Sequence, residues 1–346
     1  MTKILVLGGS RFIGRHLLQK LKGHDVLVLN RGNVPEDQYL PEGAVAKKVD
    51  RNSEDQMREA LEGQKFDIVY DVSCITEKQA EIVVNLLNGN VGRHVHVSTA
   101  SVYQLDKLPD HIPIDENYEI GPIAEGEHPY MNNKRGAEKV LWKAHSDGFP
   151  VTMVRPTFVY GPDNYMYREA YFFDRISRGR PLILPGNGEA VFDLIHVDDL
   201  AELMIQLGNA PAEKVVGEAF NGSFGKMLTG NIFAKIVSEI IGIEAEILYL
   251  PMSELKKLNW PPHLFFYPYP PTGVYGLDSR KVENALGFKF EFNYRKGLQH
   301  TYEWWQLQEP KEPDWKLDDL IVGYLKENKV DELLEFLKSH QTPQTS

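Results

Sequence analysis

The chain has 346 residues, 42% of them hydrophobic and 25% charged, a globular composition with material for a sizeable core. A net charge of -11 repels nucleic-acid phosphates unless a local basic patch overrides it, and the single cysteine, Cys74, excludes an internal disulfide. No run of about twenty apolar residues is present to span a membrane. The opening MTKILVLGGS lacks the apolar stretch and cleavage site of a signal peptide, so a cytoplasmic protein is expected, with Cys74 a small buried residue in a strand.

The first half alternates two kinds of segment. Ile4–Leu7, Val26–Asn30, Val45–Val49, Phe66–Val72, His94–Ser98 and Val151–Arg155 are short and rich in β-branched residues, as buried parallel strands are. Between them, Phe12–Leu21 places Ile13, Leu17, Leu18 and Leu21 on one side, and Ser53–Leu61 and Lys78–Leu87 repeat that helical spacing. Another helix opens at Tyr130 and runs to about Ala144. Strand and helix in alternation predict an α/β fold, a Rossmann-type doubly wound parallel sheet.

After Gly161 the pattern loosens into a smaller α/β region. Tyr165–Arg180 reads as a helix with flanking loops, Pro181–Gly188 as a strand and turn, and Phe192–Leu207 as a strand running into a helix capped by Asp198. Leu228–Gly242 is a helix for Thr229 to cap, followed by a strand around Ala245–Leu250. Trp260–Pro271 is neither helix nor central strand, because its prolines cannot donate to a ladder. The tail from Pro310 keeps helical spacing through Leu317, Leu320, Ile321, Tyr324 and Leu325, then Val330, Leu333, Leu334 and Leu337, predicting two packed amphipathic helices. Only residues from Gln341 read as free.

The chemistry begins at Gly8-Gly9-Ser10-Arg11-Phe12-Ile13-Gly14, directly after the first strand. Glycine at such a turn lets backbone approach a pyrophosphate, and the helix behind it offers free N–H groups and a positive dipole end. The residues of this loop, Gly8 and Ser10 to Gly14, are therefore expected to bind a dinucleotide. The second strand ends in Asn30-Arg31-Gly32. An acid there would bind the ribose diol of NAD, whereas an arginine accommodates a 2′-phosphate. Arg31, with Arg11 facing the same phosphate, favours NADP, with NAD the alternative. Residues 1–160, with segments near 190–225 returning to them, are expected to form the dinucleotide domain, 161–310 mainly a substrate-binding region, and 311–346 a helical extension.

Tyr130 and Lys134 stand four residues apart on one helical face. A free phenol has a pKa of about 10, and a nearby ammonium lowers it into the range of a general acid or base. His94–Thr99 delivers the hydroxyls of Ser98 and Thr99 to the carboxyl edge of the sheet, where open α/β folds bind ligands.

Taken in order, GGSRFIG, VDRN (49–52), VSTASVY (97–103), YMNNKRGAEK (130–139), VRPTFVYGPDN (154–164) and FDLIHVDDLA (192–201) resemble the extended short-chain dehydrogenase/reductases of the NAD-dependent epimerase/dehydratase type, over roughly residues 3–305. The resemblance implies Thr99 as the catalytic hydroxyl, Tyr130 as acid/base and Lys134 as the partner that lowers its pKa. It puts Asp50 and Arg51 near the adenine, Val72 and Ser73 by the pyrophosphate, and Pro156 and Val159 toward the nicotinamide. It further implies hydride transfer at a carbinol of a sugar, perhaps nucleotide-linked, and a homodimer through the helices at Lys78–Leu87 and Tyr130–Ala144.

Three departures qualify it. Arg11 replaces the usual middle glycine, which resembles a divergent branch whose members include chloroplast stem-loop RNA-binding proteins. The acid after the second strand is absent. Phe192 stands where nucleotide-sugar epimerases carry a diphosphate-gripping arginine. A carbonyl reductase on a small substrate without a nucleotide is the alternative enzyme. A nucleotide-sensing or RNA-binding protein is the alternative of another class, against which the negative charge and the intact Thr99, Tyr130 and Lys134 count. The aromatics Tyr165, Tyr167, Tyr171–Phe173 and Phe265–Tyr269 are expected to be mostly core or lid packing, the remainder walling a pocket, and Arg168 is a candidate anion partner. His196, Asp198 and Asp199 at a strand-to-helix junction do not amount to a metal site, and no metal is expected.

Overall fold

The computed structural model describes residues 2–104, 109–251, 268–269, 274–309, 313 and 315–339. Apart from Pro268 and Tyr269, the segment Trp260–Pro271 lies outside them, as does the chain from Gln341. Two compact units are formed, the first from Met1–Val159, Asp193–Gly225 and Leu277–Glu291, the second from Tyr160–Phe192, Lys226–Gly276 and Phe292–Ser346.

The first unit is a seven-stranded parallel sheet. In chain order its elements are β1 (Lys3–Leu7), α1 (Phe12–Lys20), β2 (Asp25–Asn30), β3 (Val45–Lys48), α2 (Glu54–Leu61), β4 (Phe66–Asp71), α3 (Glu77–Leu87), β5 (Val91–Val97), α4 (Pro129–Ser146) and β6 (Val151–Pro156), with Ala219–Gly222 as the last strand. Side by side, the strands run Ala219–Gly222, β6, β5, β4, β1, β2, β3. From β1 the chain steps outward through β2 and β3, then returns to the other side of β1 with β4. That reversal makes the carboxyl ends of β1 and β4 the switch point where doubly wound sheets bind ligands. The strands are apolar almost throughout because both faces are covered. Leu17 and Leu18 of α1 pack with Leu200, Leu203 and Met204 of the Val197–Asn209 helix over one face. Met57, Ala80, Ile82, Ala137 and Leu141, from α2, α3 and α4, cover the other.

Strand and helix ends differ from the sequence expectation by a residue or two, save that β5 begins three residues earlier, at Val91. Two details differ in kind. Cys74 is fully buried but lies in the turn beyond β4, not in a strand. The cap of the Val197–Asn209 helix is His196, whose ring nitrogen accepts the Asp198 backbone N–H at 3.2 Å. Asp198 sits in the first turn, with its carboxylate 2.6 Å from the His16 ring of α1.

In the second unit, the Leu182–Pro185 and Ile247–Leu250 strands pair in parallel, and Val191–Phe192 is flanked by Leu228–Thr229 and Val274–Tyr275. The Gly230–Ile241 helix is capped by Thr229 and closed by Gly242 at a φ of 79°. Tyr171, Phe172 and Phe173 are buried, whereas Tyr165 and Tyr167 are exposed. Phe192 stacks on Tyr269 at 4.5 Å between ring centres, and Phe172 meets Phe233 at 4.3 Å. The two tail helices form at Lys316–Lys326 and Val330–Ser339; Arg175 and Arg180 both bond Asp318, and the Trp315 ring lies 4.2 Å from the Arg180 guanidinium. Among the described residues, no helix is long and apolar enough to cross a membrane.

Candidate functional site

The glycine loop leaves β1 at the switch point. Gly8 adopts a φ of 88°, and a methyl group there would lie 2.5 Å from the Ser73 side chain. At Gly14 it would lie 2.3 Å from the Gly8 carbonyl oxygen and 2.8 Å from the Gly9 Cα. The first turn of α1 therefore rests directly on the loop, which only glycine permits. Among the described residues no side chain caps α1, and no acid stands in its first turn, in contrast to α2, capped by Ser53, and α3, capped by Thr76. An uncapped positive helix end over a glycine turn fits a pyrophosphate. Arg11 is the residue that opens α1, and Phe12 adopts a φ of 41°.

Across the switch point the end of β4 builds the other wall. Asp71 is 1% exposed, and its carboxylate accepts from both Arg51 amines, at 2.7 and 2.9 Å. Burial alone would raise its pKa, but the paired guanidinium holds the carboxyl well below the usual carboxylate range. Arg51 also donates to Ser73 Oγ at 2.6 Å, and Ser73 in turn donates to the Leu7 carbonyl at 3.1 Å. Arg51, Asp71 and Ser73 thus lock the ends of β1, β3 and β4 together. Val72 joins them through its N–H to the same Leu7 carbonyl, at 3.1 Å. Asp50 accepts both the backbone and side-chain N–H of Asn52, at 3.0 and 2.9 Å.

Asp71, Cys74 and His96 place one donor atom each within 4.8 Å of one another. They do not suit a cation. Both Asp71 oxygens are taken by Arg51, burial pushes the Cys74 thiol up to about 12, and the Lys134 ammonium donates to the Cys74 carbonyl at 2.6 Å.

The third wall is α4, which enters behind Pro129 with Tyr130 at its exposed start. One turn on, Lys134 is buried and donates to the Cys74 and Val97 carbonyls at 2.6 and 2.8 Å. Burial lowers the pKa of this ammonium. The next turn's polar residues also point inward with partners. Arg135 donates to the carbonyls of Val102, Tyr103 and Pro122, and Glu138 binds Arg155 through both carboxylate oxygens at 3.0 and 2.7 Å. These bonds fix α4 against β5 and β6. Just past β5, Ser98 is buried with its hydroxyl lacking a hydrogen-bond partner among the described residues, and the Thr99 hydroxyl accepts the Ser101 N–H at 3.2 Å. Pro156 ends β6, and Val159 is buried three residues on.

At the outer edge, Asn30 ends β2. Its amide donates to the Tyr39 hydroxyl at 2.8 Å, and its oxygen accepts the Gly32 N–H at 2.7 Å. The position expected to hold an acid is therefore spent on shaping the turn that carries Arg31, which is exposed.

The switch point thus carries a glycine turn, an uncapped helix start and a tyrosine–lysine helix. A sequence model of the NAD dependent epimerase/dehydratase family matches residues 4–221. The chain belongs to this family of enzymes. It is 31% identical over 344 residues to the chloroplast stem-loop binding protein of 41 kDa b from Arabidopsis thaliana, covering 93% of this chain and 84% of that protein. The UDP-glucose 4-epimerase of Thermotoga maritima, solved with UDP-glucose, shares the fold with a TM-score of 0.73 at 22% identity, over 88% of this chain and 98% of that one. A dTDP-glucose 4,6-dehydratase from Bacillus anthracis, solved with NAD, has a TM-score of 0.71 at 18% identity, over 88% and 97% of the two chains.

Sequence reasoning found the glycine loop, Arg51, Ser73, Thr99, Tyr130 and Lys134 as candidates, and all lie at the carboxyl edge of this one sheet or on α4 beside it. It missed Asp71 and Arg135. An acid closing the apolar strand FDIVYD has to be paired if buried, and that was the available signal for Asp71. Arg135 carried no comparable signal.

Proposed function

We propose that this family member is an NADP-linked oxidoreductase or epimerase acting at a sugar carbinol, with Tyr130 as the acid/base. The observation that carries the reading is the pairing on α4 of an exposed Tyr130 with a buried Lys134 one turn later, at the carboxyl edge where Ser98 and Thr99 end. The residues that would hold the dinucleotide are Gly8, Ser10, Phe12, Ile13 and Gly14 for the pyrophosphate, with Val72 and Ser73 beside them and Arg11 facing the 2′-phosphate. Asn30, Arg31, Gly32, Asp50 and Arg51 would serve the adenosine half, and Ser98, Tyr130, Lys134, Pro156 and Val159 the nicotinamide half. When bound, the nicotinamide supplies a hydride acceptor and donor.

In this reading the Tyr130 phenolate takes the carbinol proton as the alcohol is oxidised and returns it on reduction. Thr99 keeps its proton and donates a hydrogen bond to the same substrate oxygen. Lys134 has three N–H donors and gives two of them to the Cys74 and Val97 carbonyls. Its charge favours the phenolate, and its third proton serves the ribose. NAD is the alternative cofactor, supported by the NAD-bound dehydratase of the same fold. The second unit is read as substrate-binding. Phe192 fills the clamp position with a buried ring rather than a cation, which favours a sugar without a diphosphate, or a small ketone, over a UDP-sugar.

The single, buried Cys74 suits a reducing compartment such as the cytoplasm. Half-buried Val84, Leu86, Val140 and Trp142 on α3 and α4 suit a homodimer. A second reading, RNA binding, is favoured only by the Arabidopsis relative and opposed by the charge of -11. A stem-loop gel shift at physiological salt separates the two and is expected to show no complex. Tyr130→Phe tests the enzyme reading. It is expected to abolish turnover with NADPH and a ketone panel while still binding the cofactor, and unchanged turnover refutes the role.

A further inference from the structure

The β2–β3 edge contains a cation that the reading above does not use. β2 and β3 pair in parallel with Asn30 opposite Lys48, so Lys48 ends β3 level with the residue that ends β2. Its stem then runs under the β2 turn, because a methyl group on Gly32 would meet Lys48 Cδ at 3.1 Å and Cγ at 3.2 Å. Gly32 has a φ of 67°. Its lack of a side chain leaves the space through which the lysine reaches the turn.

Alternation along β3 sets the face. Ala46 packs against the cluster that contains Phe12, Leu17 and Leu18 of α1, whereas Val49 packs in the cluster on the opposite face. Lys48, two residues from Ala46, therefore shares the α1 side of the sheet, the side on which the glycine loop feeds its helix, and Lys47 takes the other side. Arg31 and Lys48 are both exposed, and among the described residues neither makes an ion pair. Two uncompensated cations brought to one turn repel each other, and the chain has 49 acidic residues from which a neutralising partner was available. Asn30, held by Tyr39 and the Gly32 N–H, brings no negative charge between them. This is the arrangement an anion stabilises.

We propose that Lys48 is a specificity-determining residue, which together with Arg31 forms a two-cation seat for the 2′-phosphate of NADP. The proposal rests on the NADP reading above and adds a residue from a strand that reading does not draw on. Lys48 engages the phosphate as a point charge on a flexible stem, while Arg31 offers a planar fork.

The test is titration of wild type, Arg31→Ala, Lys48→Ala and Lys48→Arg with NADP and with NAD, at low and at physiological salt. Lys48→Ala is expected to weaken NADP binding by about five- to tenfold, most strongly at low salt, and to leave NAD binding unchanged. Lys48→Arg is expected to restore most of the loss. If wild type prefers NADP, Arg31→Ala removes that preference and Lys48→Ala does not, the proposal alone falls. If wild type binds NAD as tightly as NADP, the parent reading falls and takes the proposal with it. Equal losses for both cofactors in Lys48→Ala also overturn it. Lys48 is exposed, so its replacement leaves the core untouched, and the unchanged NAD affinity is the internal control.

Discussion

Replacing Asp71 with asparagine is the most exacting test of how the switch point is held. The carboxylate is 1% exposed and receives two guanidinium bonds at 2.7 and 2.9 Å, with the Cys74 and Ser73 N–H groups at 3.0 and 3.2 Å on one of the same oxygens. Asparagine keeps the shape but turns one acceptor into an N–H₂ that faces Arg51. The guanidinium is then left without a counter-charge in a site where it is only 13% exposed. Breaking one side of such a buried pair costs about 3–5 kcal/mol, a large part of the roughly 5–15 kcal/mol that holds a domain folded. Urea denaturation of Asp71→Asn is expected to show a loss of about 3 kcal/mol, and dinucleotide affinity is expected to fall as Arg51 releases Ser73. The double variant Arg51→Met with Asp71→Leu should recover only part of the stability and none of the affinity, since it removes both charges but also the acceptor of the Ser73 and Cys74 N–H groups and the lock on Ser73. A loss under about 1 kcal/mol in the single variant, with unchanged affinity, refutes the reasoning. The sign with pH is fixed as well. Asp71 has a folded pKa below its unfolded one, so its contribution is complete at neutral pH and disappears only as pH falls through the folded value.

Two further outcomes follow from single positions. Gly14→Ala puts a methyl group 2.3 Å from the Gly8 carbonyl oxygen, which is backbone and cannot swing aside. Isothermal titration should show dinucleotide binding weakened by at least about tenfold, and wild-type affinity in this variant contradicts the close packing of α1 on the loop. His94 is buried, and that burial lowers its pKa from 6.5 to about 4. The unfolded chain binds this proton first, so stability is complete above about pH 6.5 and falls by about 2 kcal/mol between pH 7 and pH 5 from this group. Urea midpoints at the two pH values, compared with those of His94→Gln, measure it, and an equal slope in the two proteins contradicts it.

The parallel sheet was legible because buried strands such as Ile4–Leu7 and Val151–Arg155 leave no alternation to confuse with a surface strand, and because β1, β3 and β4 each lead through a short turn into a helix. The glycine loop and the Tyr130–Lys134 pair were legible because both are local in sequence. What local patterns do not carry is partnership. Nothing near Asp71 announces Arg51, 20 residues away, and nothing near Asp198 announces that His16 takes its carboxylate, so that the cap falls to His196. Lys48 escaped for the same reason, since its closeness to Gly32 exists only in the β2–β3 register. The aromatic segment after Gly161 was ambiguous because core and pocket walls use the same residues. Burial of Phe172 and Phe173 against exposure of Tyr165 separates them only in three dimensions.

The central claim is that the switch point of this sheet holds a nicotinamide dinucleotide. It is tested most directly by denaturing the purified chain, identifying any released nucleotide by mass spectrometry, and titrating the emptied protein with NADP and NAD. One dinucleotide per chain is expected, bound more tightly as NADP and at least about tenfold more weakly in Gly14→Ala. A chain that releases no dinucleotide and takes up neither on titration contradicts it.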